Sequence, residues 1–316
     1  MKSPMKISLT ISGQRRDNAP QITDWSGEVA VPCLSKRIGR FLLLTPLAIS
    51  SILTVVVALG LILVLSFQRT DPTALFTDFS WAAYQDNVFR PLFWRVLVRS
   101  LTISALVTLV TVVLAYPVAY FVSFRAGRYK HALLVFVSAP FFTSYLLRIF
   151  GWKIILGFNG VLNSALLWLG IIDQPLAFLV YNPGAVIVAL SHAYLAFAIL
   201  PIYVALDRVE RALLEAASDL GARPAKVFVK IVLPLSAPGV ISAAVLIFVP
   251  TVGDYITPTL VGGPDGSMVA NLIQSAFGKA NDWPAGSALS MATILAVGVP
   301  LLILFSLGHK RATATP

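Results

Sequence analysis

Charged residues are scarce in this sequence of 316 residues. Lys, Arg, Asp and Glu together make up 12% of it, while hydrophobic residues make up 57% and the mean hydropathy is +0.83. Soluble globular domains carry about 25% charged residues. The composition therefore excludes an ordinary soluble protein and indicates an integral membrane protein.

Several residue types and motifs that carry chemistry are also rare or missing. A single cysteine excludes an internal disulfide framework and a cysteine-based metal cluster. The sequence has no G-x-x-x-x-G-K-[ST] loop, so ATP hydrolysis by this chain itself is not expected. Only three histidines are present, and the G-x-S-x-G and H-E-x-x-H motifs are absent. We therefore predict a protein that is not an enzyme and that needs no cofactor.

Six apolar stretches are each long enough to cross a hydrocarbon core, which takes about 20 helical residues at a rise of 1.5 Å. Arg148 and Lys153 crowd the end of the third stretch, so a re-entrant segment near 154–170 is an alternative there. The sequence predicts an all-α bundle of six membrane-spanning helices. Their approximate ranges are 41–66, 101–124, 132–150, 185–206, 239–260 and 288–307.

The lysines and arginines between these spans are distributed unequally. Seventeen fall in the amino-terminal tail, the 125–131 loop, the 207–238 loop and the carboxyl-terminal tail, against six on the opposite side. Cytoplasmic loops of membrane proteins carry the excess of Lys and Arg. We therefore predict that both termini are cytoplasmic, with a polar tail over 1–38 and a transmembrane domain over 39–312.

The cytoplasmic loop over 207–236 contains a helix-turn-helix pattern. Apolar or small residues recur at helical period over 207–220, and the charged residues lie on the other side of the helix. Gly221 suits a left-handed helix end, and Pro224 suits the first turn of a following helix. The pattern fits either a helix that another protein holds or an amphipathic helix that lies on the membrane.

The same loop carries the spacing EAA-x₃-G-x₉-I-x-L-P, which begins at Glu215 and ends at Pro234. This spacing resembles the EAA loop of the permeases of binding-protein-dependent ABC importers. The resemblance implies the type I (MetI-like) permease fold of six transmembrane helices, in a bacterial inner membrane. It also implies a coupling helix that fits a groove in a separate ATP-binding subunit. The residues to which that role is carried over are Glu215, Ala216, Ala217, Asp219 and Gly221.

Two further stretches look most like the permeases for spermidine and putrescine, namely YLLRIFGWKIIL over 145–156 and FVPTVGDYITPTLVGG over 248–263. The resemblance implies three kinds of partner: a dimer of ATP-binding subunits, a second homologous permease and an external solute-binding protein. Permeases for ferric iron, opines or amino-acid-like solutes share much of the pattern and remain alternatives. An ion-driven secondary transporter is a further alternative, although the coupling loop has no purpose in a self-contained carrier.

One carboxylate falls inside a predicted span. Asp254 lies in the outer half of the fifth span, in a stretch interrupted by glycine and proline. An acidic residue near mid-membrane costs about 2.5–3.5 kcal/mol and usually faces a bundle interior, a partner or a water-filled path. We therefore consider three roles for Asp254: contact with a cationic solute, a structural ion pair with Arg148, or gating. Tyr194 and Tyr255 are candidates for cation–π contact with the same solute, with ordinary packing as the alternative.

Overall fold

The computed structural model describes residues 36–68 and 79–312, with side chains for 45–46, 49–68 and 79–302. The predicted polar tail over 1–38 lies outside the described residues, except for Lys36 to Ile38, which begin the first helix. The chain divides into two units, Met1–Val55 and Val56–Pro316. In the first unit the described residues are the beginning of that helix, and all packing reported below lies within the second.

The described part of the chain is almost wholly helical, as the sequence predicts. The α-helices are α1 (Lys36–Ser66), α2 (Pro91–Phe124), α3 (Lys130–Ser138), α4 (Tyr145–Leu156), α5 (Val161–Trp168), α6 (Pro183–Asp207), α7 (Arg211–Asp219), α8 (Pro224–Val227), α9 (Leu233–Val252), α10 (Val269–Gly278) and α11 (Trp283–Ala312). Short π-helical turns cover Tyr84–Val88, Phe228–Val232 and Pro258–Gly262, and 3₁₀ turns cover Gly127–Tyr129, Ala139–Phe142 and Ala177–Leu179.

Among the described residues, six helical segments are long and apolar enough to cross a membrane, which agrees with the predicted number. They are Ile49–Ser66, Pro91–Phe124, Tyr145–Trp168, Pro183–Asp207, Pro224–Val252 and Trp283–Leu302. Large apolar side chains stay exposed on the outside of these segments, as expected where lipid rather than water surrounds a protein. Examples are Leu109, Val113, Ile241, Val249 and Leu295.

The third segment differs from the prediction of one helix over 132–150. Helix α3 ends at Ser138, a 3₁₀ turn that contains Pro140 follows, and α4 begins only at Tyr145. Proline has no backbone N–H to donate and disfavours helical geometry in the residue before it, so the helix stops there. The apolar segment therefore starts after the break and continues through α4 and α5, into the stretch that the sequence left open as a re-entrant piece.

A buried asparagine closes the gap between α4 and α5. The Nδ2 atom of Asn163 donates to the carbonyl oxygens of Gly157 at 3.3 Å, Phe158 at 3.1 Å and Leu176 at 3.2 Å. Its Oδ1 atom accepts from the Leu176 N–H at 2.9 Å. One side chain thus satisfies backbone groups that the interrupted helices leave without partners, which is what a break at membrane depth requires.

Helices α2, α6 and α9 form the main core of the bundle. Small residues let these helices approach closely, a common solution where lipid offers no hydrophobic drive for helix association. The Tyr116 hydroxyl of α2 also lies 2.9 Å from the Ser236 hydroxyl of α9. Buried residues at this meeting point are Val107, Ala115 and Ala119 of α2, Ala189, Ala193 and Ala198 of α6, and Gly239, Ala243 and Ile247 of α9.

Helices α6 and α9 approach each other closely at Gly239. A Cβ atom at this position would lie 2.4 Å from the Ala205 Cβ atom and 2.7 Å from the Pro201 carbonyl oxygen, both on α6. We expect Gly239→Ala to separate α6 from α9 and to destabilise the protein by about 1–3 kcal/mol, the usual effect of overpacking. Thermal unfolding in detergent measures this as a lower midpoint.

Gly298→Ala is the matched control, because a Cβ atom at Gly298 in α11 has no neighbour within 4 Å. We expect that variant to unfold at or slightly above the temperature of the parent protein, since alanine favours a helix over glycine by about 1 kcal/mol. Equal midpoints for Gly239→Ala and the parent would contradict the tight packing of α6 on α9.

Candidate functional site

A second helix break surrounds Asp254. Helix α9 ends at Val252, earlier than the predicted limit of 260, and the chain resumes a helical course at Ile256. The Asp254 Oδ1 atom accepts from the Ile256 N–H at 3.0 Å, while the Asp254 N–H donates to the Thr251 carbonyl at 3.2 Å. The carboxylate therefore caps the resumed helix and satisfies one of the donors that the break frees.

The second oxygen of this carboxylate is bound by a tyrosine. The Tyr145 hydroxyl donates to Asp254 Oδ2 at 2.7 Å and lies 2.7 Å from the Thr257 hydroxyl. Asp254 is 8% exposed and Thr257 is fully buried. Tyr145 is the first residue of α4. The breaks before α4 and after α9 thus meet at one hydrogen-bonded cluster, formed by Tyr145, Asp254 and Thr257.

Arg148 does not form the ion pair with Asp254 that was one of the alternatives. Among the described side chains, over 45–46, 49–68 and 79–302, Arg90 pairs with Asp86 at 3.7 Å and Lys130 pairs with Asp207 at 2.6 Å. The Arg148 Nη1 atom instead donates to the Ala193 carbonyl at 2.8 Å, and its buried Nε atom has no hydrogen-bond partner there. The Tyr145 hydroxyl and the Ile256 N–H each bind one oxygen of the buried Asp254 carboxylate. No cationic group of the described side chains lies within 4 Å of that carboxylate.

Aromatic rings line one side of this cluster. The Tyr194 ring centroid lies 6.5 Å from that of Tyr145 and 5.9 Å from that of Phe197. The Arg148 guanidinium carbon lies 5.9 Å from the Tyr145 ring centroid. Three of the four residues predicted for the solute path, Asp254, Arg148 and Tyr194, are therefore brought together around Tyr145.

Tyr255, the fourth predicted residue, lies in different surroundings. It is 44% exposed and lines a cavity of about 610 Å³ that also contains Asn271 and Lys279. The Asn271 Nδ2 atom donates to the Tyr255 carbonyl at 2.9 Å and to the Thr259 hydroxyl at 2.8 Å. Beside apolar side chains such as Phe150 and Leu260, this cavity presents amides, hydroxyls and a lysine but no carboxylate.

Sequence reasoning missed Tyr145 and Thr257. Thr257 follows Asp254 by three residues, a spacing that brings side chains together on a helix and was therefore visible in the sequence. Tyr145 opens the stretch YLLRIFGWKIIL, but only the fold shows that its hydroxyl reaches Asp254.

The helix-turn-helix of the 207–236 loop forms as predicted and is named the elbow below. Helix α7 contains no buried residue, and the turn after it has Gly221 in the left-handed region at φ +78°. The Ala222 N–H donates to the Ala217 carbonyl at 3.1 Å and the Gly221 N–H to the Ser218 carbonyl at 2.9 Å. These two bonds are those of a Schellman motif, so the sharp turn is well defined.

The exposed surface of the elbow combines apolar and acidic groups. Leu213 is 48% exposed and Leu220 is 89% exposed, next to the exposed side chains of Glu215 and Asp219. Ala216 is also exposed and leaves the helix backbone accessible to a close neighbour. An amphipathic helix that used its apolar side within its own chain would bury these leucines.

An ion pair fixes the base of the elbow. The Lys130 Nζ atom donates to Asp207 Oδ1 at 2.6 Å and lies 5.3 Å from the Tyr203 ring centroid, so the start of α3 is bound to the end of α6. The hydrogen bond that Lys130 donates to Asp207, followed by its interaction with the Tyr203 hydroxyl, raises the pKa of Lys130 above its ordinary value. The stability that this shift contributes is present below the ordinary lysine pKa and is lost as the pH rises through the raised pKa.

Replacing Lys130 by Met tests this ion pair. Because both side chains are partly exposed, we expect a loss of at most about 1 kcal/mol, seen as a fall of about 2 °C in the unfolding midpoint. The difference from the parent should stay constant between about pH 6 and pH 9, since this range lies below the raised pKa of Lys130. Lys226→Met, at an exposed lysine of α8, is the control, and a difference that disappears within this range would refute the assignment.

The sequence profile of the family described as "Binding-protein-dependent transport system inner membrane component" matches residues 111–310. The match covers more than half of the chain and includes the elbow and the Tyr145–Asp254 cluster. The chain belongs to this family. It is therefore a permease subunit of an ABC importer, a multi-pass protein of the inner membrane and not an enzyme.

Individual relatives agree with this family. The spermidine/putrescine transport system permease protein PotB of Escherichia coli (strain K12) is 38% identical over 221 residues, which cover 69% of this chain and 80% of the relative. The protein of the same name from Haemophilus influenzae is 34% identical over 245 residues, covering 78% of this chain and 85% of the relative.

A solved structure supports the fold. The crystal structure of a bacterial alginate ABC transporter, in complex with an alginate pentasaccharide-bound periplasmic protein, contains a chain that superposes with a TM-score of 0.64. The superposition covers 90% of this chain and 99% of that one, at 19% identity. The six-helix bundle is thus the permease fold of ABC importers.

Proposed function

We propose that this chain forms part of the translocation path for a polyamine of the spermidine or putrescine type. The observation that carries the proposal is the buried Asp254 carboxylate, which has no cation of the described residues within ion-pair distance. A buried carboxylate normally has a charged partner or a functional role. The relatives at 34–38% identity are named as spermidine/putrescine permeases, and a cationic solute supplies the charge that this site lacks.

The residues around Asp254 suit an alkyl diamine. Its ammonium group binds the carboxylate, and the faces of Tyr145 and Tyr194 meet the cation and the adjoining methylene groups. Arg148, held on the Ala193 carbonyl, provides positive charge that partly balances the carboxylate while no solute is bound. Tyr255, in the neighbouring cavity with Asn271, forms the outer part of the path in this proposal.

The elbow transmits force from a motor that the chain lacks. In this proposal Glu215, Ala216, Ala217 and Asp219 dock into an ATP-binding subunit, and Gly221 holds the turn that makes the elbow rigid. The exposed leucines of α7 and its turn support docking to a partner rather than packing within the chain. ATP binding draws the two ATP-binding subunits together, and their motion pushes the elbow and tilts α9.

The complete importer needs further subunits, and this chain needs a defined orientation in the membrane. A second homologous permease completes the path, and an external solute-binding protein delivers the polyamine to the outer surface. The structure that superposes on this chain contains such a periplasmic protein. The positive charge bias supports cytoplasmic termini, a cytoplasmic tail over 1–38 and a transmembrane domain over 39–312.

Replacing Asp254 by Asn tests the solute site. Asparagine retains an oxygen for the Ile256 N–H but loses the charge, so we expect spermidine uptake to fall by about tenfold or more while the complex still assembles. Uptake of labelled spermidine into vesicles that contain ATP, with the binding protein outside, gives the measurement. Asp265→Asn, at an exposed acid, is the matched control, and normal uptake by Asp254→Asn would remove Asp254 from the path.

Two substitutions at Gly221 test the coupling. A Cβ atom at Gly221 has no neighbour within 4 Å in this chain, so two substitutions there compare backbone strain with added side-chain bulk. Valine in the left-handed region costs about 1–3 kcal/mol, whereas asparagine tolerates it. We expect Gly221→Val to lose most solute-stimulated ATPase activity and co-purification of the ATP-binding subunit, and Gly221→Asn to keep both.

One outcome would contradict coupling between the elbow and the ATP-binding subunit. If Gly221→Val retained full stimulation by solute, the elbow would not transmit force. Uphill uptake by the chain alone, without nucleotide, would instead identify a secondary transporter.

A further inference from the structure

We infer that Tyr145 is a latch on the solute site: its hydroxyl binds the Asp254 carboxylate, as in this structure, and releases it when the site opens to a cation. This inference rests on the proposed role of Asp254 in the solute path. It adds a specific residue that sets how readily the importer opens without solute.

The hydrogen bonds give the latch a direction. Asp254 Oδ1 is bound by the Ile256 N–H, which belongs to the same short segment and moves with the carboxylate. Asp254 Oδ2 is bound by the Tyr145 hydroxyl, which comes from a different helix. The Oδ2 atom is thus the one that changes partner when the two segments move relative to each other.

The two bound segments are the discontinuous ones. Tyr145 begins α4 immediately after the break that contains Pro140, and Asp254 lies in the break after α9. Interrupted helices absorb a rearrangement more easily than continuous ones, because their ends lack the i→i−4 ladder. The Tyr145 hydroxyl, which joins the start of α4 to the break after α9, therefore connects the parts of the bundle that are freest to move.

Thr257 adds a second hydrogen bond to the latch. Its hydroxyl lies 2.7 Å from the Tyr145 oxygen, which donates its own proton to Asp254 and so can accept from Thr257. The three groups then form a chain, Thr257 to Tyr145 to Asp254, in which each hydrogen bond polarises the next. With Asp254 only 8% exposed, a solute reaches the carboxylate after the phenol has moved away.

Loss of the Tyr145–Asp254 hydrogen bond opens the site, an effect that solute binding normally produces. A hydrogen bond to a charged group stabilises the closed state, so its loss shifts the population towards the open state without solute. In the proposed cycle the ATP-binding subunits turn over once the Tyr145–Asp254 bond is broken, so ATPase activity in the absence of solute rises. Solute stimulation falls by the same factor, because less of the equilibrium is left for the solute to shift.

The experiment uses the complete importer in vesicles, with the binding protein and with spermidine as the probe. We expect Tyr145→Phe to raise the solute-free ATPase rate by about tenfold and to reduce the stimulation by spermidine correspondingly. Thr257→Val should cause a smaller rise of the same sign. Tyr84→Phe is the matched control with unchanged activity, because the Tyr84 hydroxyl donates to the Ser66 hydroxyl at 2.9 Å, outside both the elbow and the Tyr145–Asp254–Thr257 cluster.

A double variant separates the latch from other effects of the hydroxyl. If Tyr145 acts through Asp254, Tyr145→Phe adds no further rise in the Asp254→Asn background, where the charged acceptor is already lost. An equal rise in both backgrounds, or no rise in either Tyr145→Phe or Thr257→Val, overturns the latch. Co-purification of the ATP-binding subunit checks that each variant assembles, and Thr257→Val keeps the test decisive if Tyr145→Phe does not assemble.

The failure of the latch is distinguishable from the failure of the proposed function. If Asp254→Asn transports spermidine normally, the solute site itself is wrong, whatever Tyr145→Phe does. If Asp254→Asn loses uptake but Tyr145→Phe leaves the solute-free ATPase rate unchanged, the solute site stands and the latch is wrong.

Discussion

Backbone hydrogen bonding is the constraint on which this structure depends. A helix inside a membrane is interrupted only where protein groups replace the bonds that the break removes. Asn163 does this between α4 and α5 by binding the Gly157 and Phe158 carbonyls. Asp254 does it after α9 by accepting from the Ile256 N–H. The second solution places a carboxylate at depth, and only one of its oxygens is needed for the backbone, so the other remains for function.

The chemistry of that second oxygen explains why a tyrosine is a better partner there than Arg148. Removing one member of a buried ion pair costs about 3–5 kcal/mol, so a direct Arg148–Asp254 bridge would hold the site shut against a solute. A phenol bound to a carboxylate contributes about 1.5–3 kcal/mol, which an incoming ammonium group exceeds more easily. Arg148 instead donates to the Ala193 carbonyl, and its charge acts on Asp254 at longer range.

Features determined by local sequence were predictable, and those that need two distant segments were not. Six apolar stretches indicated six membrane-crossing helices, and Gly221 indicated a left-handed turn because few other residues adopt that geometry. Pro140 was visible as a helix breaker, but hydropathy over 132–150 concealed where the helix stops. The sequence showed two opposite charges, Arg148 and Asp254, and so suggested a bridge. Only the fold shows that the Tyr145 hydroxyl, rather than the Arg148 guanidinium, binds Asp254.

The connection between the elbow and Asp254 follows from the helix that joins them. Residues Pro224–Val252 form one apolar segment of 29 residues, about 40 Å long, with the elbow at one end and the break at the other. Gly239 packs the middle of this segment tightly on α6. In the proposed coupling mechanism this contact is the pivot. A push at the elbow would, in that mechanism, displace the residues beyond Val252 in the opposite direction. That is where the helix is already interrupted and where the hydrogen bond from Tyr145 crosses to another helix, so the motion is concentrated on the bond that closes the carboxylate.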